Sequence, residues 1–296
     1  MFPPPDYNVP PLINAKHDLS FDYSSSYFQS GMDGWHASSY PLITERFKRF
    51  SEGRRFATGL DFGCGDGFYG NFLRGYVDQL SGADVSRCVE DSGNRPVYNA
   101  FTQMDLGKRL RSEGDGYDVI FSSEVIEHVS DYDAFLDNAY HLLKPNGFLF
   151  LTTTTFACSL PIYLMRDPRQ WSIRALGQFL KGFVGDGAAR TCFLENLWGW
   201  TKGHYHGFSK RQLGEALRKV GFEIETLEYL HAQPFIHTDF FWNPFKGTKN
   251  RWFVVPVARL LGCLALTANF LCKAFNIYAP NVVVIAKKSR SSPLVG

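Results

Sequence analysis

A short apolar run that breaks into alternate glycines sets how this chain must fold. Residues 57–70 read Ala-Thr-Gly-Leu-Asp-Phe-Gly-Cys-Gly-Asp-Gly-Phe-Tyr-Gly, which predicts a strand over 57–62 and a turn built on Gly63, Gly65 and Gly67. Glycine has no Cβ and tolerates positive φ, so the chain can leave the strand sharply and let a ligand lie against bare backbone. The spacing Gly65-x-Gly67-x-x-Gly70 satisfies the dinucleotide pattern, in which a pyrophosphate sits on a helix N-terminus. Asp61 argues for another ligand, because an anion ~4 Å from it would cost on the order of 1 to 4 kcal/mol. A cationic ligand would gain from the same carboxylate.

The pattern that follows is α/β. A helix is expected over about 41–50, ended by Gly53, and another over about 69–76 after the glycines. Strands are expected up to Asp84, near 98–103, over Tyr117–Ser122 and over Phe148–Thr153, with a helix over 131–143 stopped by Pro145 and Gly147. Helix 209–220, strand 222–229 and strand 281–286 resume the alternation later. Continuous apolar strands alternating with helices predict a Rossmann-like, doubly wound, mostly parallel seven-stranded sheet. The expected organisation is an N-terminal arm and helix over 1–55 covering the cofactor site, and a cofactor-binding core over 56–155. An aromatic cap insertion follows over 156–206, then a core helix and strand over 207–232. A second insertion over 233–280 precedes a last strand and basic tail over 281–296.

Composition narrows the classes. With 45% apolar and 20% charged residues among 296, the chain can bury a sizeable core, and a formal charge of +2 gives no electrostatic case for a nucleic-acid partner. Six cysteines form no C-x-x-C pair and no Cys/His cluster of zinc-site spacing, so no metal is expected. The opening Met-Phe-Pro-Pro-Pro-Asp lacks the features of a secretory signal, and the expectation is a cytoplasmic protein. Residues 252–275 are apolar but broken by Pro256, Arg259, Asn269 and Lys273, which argues against a membrane span. An amphipathic helix there suits cap packing, a homodimer, or peripheral contact with the inner membrane face.

Four features follow the glycine loop in a fixed order. Asp84 ends the second strand 19 residues after Gly65, and Asp105-Leu106 follows the third. Tyr117-Asp118-Val119-Ile120-Phe121-Ser122-Ser123-Glu124-Val125-Ile126-Glu127-His128-Val129 closes the fourth, and Leu142-Leu143-Lys144-Pro145-Asn146-Gly147-Phe148-Leu149 enters the fifth. Later, Gly207-Phe208-Ser209-Lys210-Arg211-Gln212-Leu213 leads to Val220-Gly221-Phe222. Together with Asp61-x-Gly63-x-Gly65-x-Gly67 this run resembles the class I S-adenosylmethionine-dependent methyltransferases, of the ubiquinone-biosynthesis-like, small-molecule O-methyltransferase type. The resemblance covers about 57–155, 207–230 and the last strand; it leaves the arm and both insertions unmatched.

The resemblance implies S-adenosyl-L-methionine as cofactor, held by Asp61, Gly63, Cys64, Gly65, Asp84, Val85, Asp105, Leu106, Ser122 and Ser123. It implies methyl transfer to a hydroxyl, with a histidine removing the proton. His128, read as one turn along a helix after the fourth strand, is the leading base; His204 and His206 in Gly-His-Tyr-His-Gly are the others, with Tyr27 or Tyr23 as a helper. A small-molecule, sugar or glycan acceptor is expected first, and a lipid-like quinone precursor at the membrane surface second. A nicotinamide-dependent oxidoreductase and a non-catalytic cofactor-binding module are the readings from other classes.

Overall fold

In the computed structural model the described residues are 35–110, 116–154, 208, 210–230, 260, 263–264, 267, 270–271, 274 and 281–289. Seven strands form one sheet: β1 (Phe56–Phe62), β2 (Val77–Asp84), β3 (Ala100–Gln103), β4 (Tyr117–Ser123), β5 (Leu143–Thr154), β6 (Phe222–Tyr229) and β7 (Asn281–Lys288). Their order is β3-β2-β1-β4-β5-β7-β6. The pairs from β3 through to β5 are parallel, whereas β7 runs antiparallel to both β5 and β6. The expected doubly wound, mostly parallel seven-stranded sheet is therefore present.

Both faces of the sheet are covered, which is why its strands read as unbroken apolar runs rather than alternating ones. On one face Ile120, Leu149, Leu151, Val282, Val284 and Ala286 pack with α4 (Tyr132–Leu142), through Phe135, Leu136 and Ala139, and with α5 (Lys210–Val220), through Leu213, Ala216 and Leu217. On the other, Val119, Phe121, Phe150 and Val283 meet Ile43, Phe47 and Phe50 of α1 (Trp35–Phe50). The ring of Phe47 touches those of Phe121 and Phe150 edge-on, and those two stack across neighbouring strands at 5.5 Å. Tyr40, earlier on α1, reaches Phe68 and Tyr69 beyond the glycine loop, so this helix is fastened to the loop as well as to the sheet.

Three expectations change in detail. The helix after the glycines shortens to the four residues of α2 (Gly70–Leu73), with α3 (Cys88–Asp91) after β2, and α1 starts earlier than expected, with Pro41 inside it. Pro145 and Gly147 do not separate helix from strand: α4, capped at its start by Asp131 accepting from Ala134 N at 2.9 Å, passes directly into β5. Asn146 at φ 67° and a register shift between Tyr117 and Val119 absorb the irregularity within the strand pair.

Candidate functional site

Open α/β sheets bind ligands beyond the carboxyl ends of their parallel strands, where the strand order reverses. Here that point lies between β1 and β4, and the residues singled out in the sequence converge on it. The glycine loop leaves β1 with Gly63, Gly65 and Gly67 at φ 93°, 54° and 84°, conformations that side chains rarely adopt. Gly63 and Cys64 both donate their amide to Ala83 O of β2, at 2.8 and 3.1 Å. The glycines also serve the protein itself. A Cβ on Gly63 would stand 2.3 Å from Val125 Cγ2, and one on Gly67 2.8 Å from Asn94 Cβ. The loop's far half is held by Ser92 Oγ and Asn94 Nδ2, which donate to Asp66 O at 2.6 and 2.9 Å.

Asp61 sits at the floor of this turn, 2% exposed, and accepts a 2.7 Å hydrogen bond from Tyr98 Oη. Burial pushes its carboxyl up to about 7; the bond from Tyr98 opposes the rise, and the negative charges of Asp84 and Asp66 add to it. Three acids therefore surround the loop, a setting that repels a pyrophosphate and attracts a cation. Tyr98 was not singled out in the sequence. Its ring lies within 3.2 Å of where a Cβ would sit on Gly67, Gly70 or Gly82, so these small residues make the trench it fills.

Asp84, at the end of β2, accepts from Gly65 N at 2.9 Å and from Ser86 N at 2.8 Å, one on each oxygen. Burial raises its pKa and these amides oppose the rise. A carboxylate offers about four lone-pair sites, so this clamp leaves acceptor capacity for a ligand hydroxyl. Gln103 Nε2 donates to Val85 O at 3.0 Å just beyond. Asp105 and the buried Leu106 follow β3 in a loop organised from α4. There Asn138 Nδ2 donates to Leu106 O at 3.0 Å and to Lys108 O at 2.7 Å, while Asn138 Oδ1 accepts from Leu110 N at 2.9 Å.

At the end of β4 the chain makes a turn, not the helix expected to carry His128. Glu124 is the physical reason: at φ 56° it lies in the left-handed region, which a right-handed helix cannot include. It is held there by its amide donating to Thr152 O at 3.0 Å. Its carboxylate accepts from Thr152 Oγ1 at 3.1 Å and Asn281 Nδ2 at 2.8 Å. A non-glycine residue kept in such a conformation costs on the order of 1 to 3 kcal/mol and is typical of functional sites. Glu127 is wholly buried, its Oε2 accepting from Thr153 Oγ1 at 2.9 Å, while its Oε1 has no hydrogen-bond partner among the described residues. Burial first, and Glu124 second, hold the Glu127 carboxyl well above the usual carboxylate range. His128 follows, half-buried, with its amide donating to Val125 O at 2.8 Å.

Of the expected cofactor residues, Ser122 is turned inward: its hydroxyl donates to Phe62 O at 2.6 Å with no exposure, tying β4 to the end of β1. Ser123 shares a 3.0 Å hydrogen bond with Thr152. His204, His206, Tyr23 and Tyr27 lie outside the described residues. The sequence reading passed over Glu127, Asn138 and Asn281 as site residues; for Glu124 and Glu127 their spacing after a strand end was an available signal.

A glycine turn ringed by acids at the switch point of such a sheet defines an α/β nucleotide-cofactor domain. The chain belongs to the family described as methyltransferase domain, whose match runs over residues 35–227. It is 30% identical over 153 residues to a ubiquinone biosynthesis O-methyltransferase of Sinorhizobium medicae, covering 47% of this chain and 60% of the relative. A Chelativorans protein of the same description is 32% identical over 129 residues, covering 41% and 51%. The chain thus spans about half to three-fifths of the length of these relatives. Among solved structures, the DhpI–S-adenosylhomocysteine complex superposes with a TM-score of 0.53 at 14% identity, covering 93% of this chain and 97% of that one. The complex of the Haloferax volcanii Trm112 methyltransferase activator with a methyltransferase gives 0.55 at 13% identity, covering 92% and 98%. At such identities the likeness speaks for the fold.

Proposed function

We propose that this chain transfers a methyl group from S-adenosylmethionine to a hydroxyl oxygen of a small acceptor. The observation that carries the reading is Asp61, a buried carboxyl pushed up to about 7 with two further acids around it. A ligand with an ammonium and a sulfonium offsets that unfavourable charge, whereas a pyrophosphate adds to it. Asp84 has capacity left for ribose hydroxyls, and the Asp105-Leu106 loop suits an adenine amino group and ring.

When bound, the cofactor supplies a methyl group on a positively charged sulfur, already activated for transfer. The residues of the chain supply position and a proton acceptor. His128, at the turn after β4, would take the proton of the acceptor hydroxyl as the methyl's bond to sulfur gives way to its bond to oxygen, and would afterwards return that proton to solvent. Glu124 and Glu127 fix that turn. A phenolic, lipid-like acceptor is favoured over a sugar because the curated relatives are named for ubiquinone biosynthesis, while the sugar reading rested on residues 156–206.

Three measurements test this. Calorimetric titration with S-adenosylhomocysteine is expected to give binding, and NAD none; the reverse overturns the cofactor. Labelled-methyl transfer to a polyprenylated catechol and to a nucleotide sugar then ranks the acceptors. His128→Ala is expected to lower turnover at least a hundredfold while leaving S-adenosylhomocysteine affinity within threefold, and unchanged turnover removes His128 as the base.

A further inference from the structure

A second surface is carried by the described residues between 260 and 274. Residues 260, 263, 264, 267, 270, 271 and 274 are helical and exposed, and they are Leu, Cys, Leu, Thr, Phe, Leu and Ala. At 100° per residue these positions fall within an arc of about 120°, one continuous face of a helix. The large side chains on it are far out in solvent: Leu260 is 60% exposed, Leu264 57%, Phe270 71% and Leu271 45%. Elsewhere among the described residues only Leu42 is comparable, at 37%. Thr267 does not interrupt the apolar character, because its hydroxyl donates back to Cys263 O at 2.9 Å. An apolar stripe of this kind left open to water marks an interaction surface.

The charge of the surrounding sequence chooses the occupant. From residue 240 to 280 there are five basic residues, Lys246, Lys249, Arg251, Arg259 and Lys273, and no Asp or Glu. Residues 1–239 hold 23 of the 31 basic residues and all 29 acidic ones, so that part stands at −6 and this stretch at +5. A second copy of the chain seated on the stripe would bring two +5 stretches together. An anionic lipid surface instead attracts them, each Lys or Arg near it strengthening partition roughly fivefold. No helix among the described residues is long and apolar enough to cross a membrane, and in the sequence Pro256, Arg259, Asn269 and Lys273 break the apolar run, so the contact inferred is one of lying on the surface.

We infer that the face formed by Leu260, Leu264, Phe270 and Leu271 docks this protein onto an anionic lipid bilayer, with the apolar side chains entering the acyl boundary and the flanking cations resting among the headgroups. The inference is independent of which acceptor is methylated. It also brings the domain to a lipid-like substrate, should that be the acceptor.

The test is co-sedimentation of the full chain with sucrose-loaded vesicles of phosphatidylcholine alone or with 30% phosphatidylglycerol, beside Leu264→Glu/Phe270→Glu. Expected is binding to the anionic vesicles that is at least tenfold weaker on the neutral ones, falls with added salt, and drops at least tenfold in the double variant. Because both side chains are solvent-exposed, the variant is expected to keep the parent's melting temperature and S-adenosylhomocysteine affinity, which verifies that it is folded. Three results overturn the inference: no binding to anionic vesicles, equal binding to both kinds, or binding that the folded variant retains. A dimer seen by analytical ultracentrifugation that the variant dissociates, without vesicle binding, gives the face to a second copy instead.

Discussion

Replacing Asp61 by Asn should make the ligand-free protein more stable at alkaline pH and a poorer binder. The carboxyl rises from its ordinary 3.8 to about 7 in the folded chain. A group whose folded pKa is raised contributes stability that is fully present below the unfolded value and lost as pH climbs through the folded one. The shift is about three units, so at 1.36 kcal/mol per unit the native protein loses about 4 kcal/mol from this group between pH 4 and pH 8. Asparagine cannot ionise. It can still accept from Tyr98 Oη, but it leaves an amide N–H₂ buried in the carboxylate's place, at a cost of about 1 to 3 kcal/mol. Urea denaturation of both proteins across pH 4 to 8.5 should therefore give curves that cross in the mildly acidic range, with the variant less stable below and more stable above. In the same buffers at pH 8 the variant should bind S-adenosylmethionine at least tenfold more weakly, since the charge that costs stability is the one proposed to meet the cofactor's ammonium. Parallel stability curves would refute the assignment of a strained, uncompensated carboxyl at this position.

Gly63→Ala should destabilise by 2 kcal/mol or more, since it combines a φ of 93° with a Cβ placed 2.3 Å from Val125 Cγ2; Val125→Ala in the same chain should recover the steric part but not the backbone part, read by thermal melts of the double-mutant cycle. Asn138→Ala removes three hydrogen bonds that shape residues 106–110, and should weaken S-adenosylhomocysteine binding about tenfold by calorimetry while α4 itself stays intact. At the opposite end of the sheet Asp118 accepts from Thr58 N at 2.8 Å and from Lys144 Nζ at 2.9 Å; burial works against its charge, but Lys144 and Thr58 outweigh it and hold the carboxyl below its usual range. Its contribution is present above about pH 4 and lost as pH falls further, so Lys144→Met should lower stability at neutral pH, leave strongly acid pH nearly unchanged, and so flatten the acid limb of a pH–stability profile.

The strands were legible in the sequence because both sheet faces are buried, and runs such as Val119-Ile120-Phe121 and Val282-Val283-Val284 have no other place to go. The glycine loop and its acids were legible for the same local reason: positive φ and a carboxylate at a strand end leave a mark in adjacent residues. The meaning of the glycines was only partly so. They were read as room for a ligand, whereas Gly63 and Gly67 are also required by Val125 and Asn94, which approach from elsewhere in the chain. Tyr98 could not be found, since nothing near it in sequence announces a bond to a residue 37 positions earlier. The helix proposed for His128 failed on Glu124, whose left-handed backbone is held by Thr152 and Asn281, both remote in sequence. Likewise the spacing of strands predicts their number but not that β7 pairs between β5 and β6.

That placement of β7 has a consequence for how the protein is made. During synthesis β5 and β6 emerge well before residues 281–288, and until those arrive each has an open edge where β7 will pair. The same delay reaches the turn after β4, because Asn281, the first residue of β7, supplies the hydrogen bond to Glu124 that helps hold the chain before His128. A nascent chain stalled before residue 281 therefore carries a complete glycine loop but an unfinished turn at Glu124, and its two open edges are the surfaces a chaperone would have to shield.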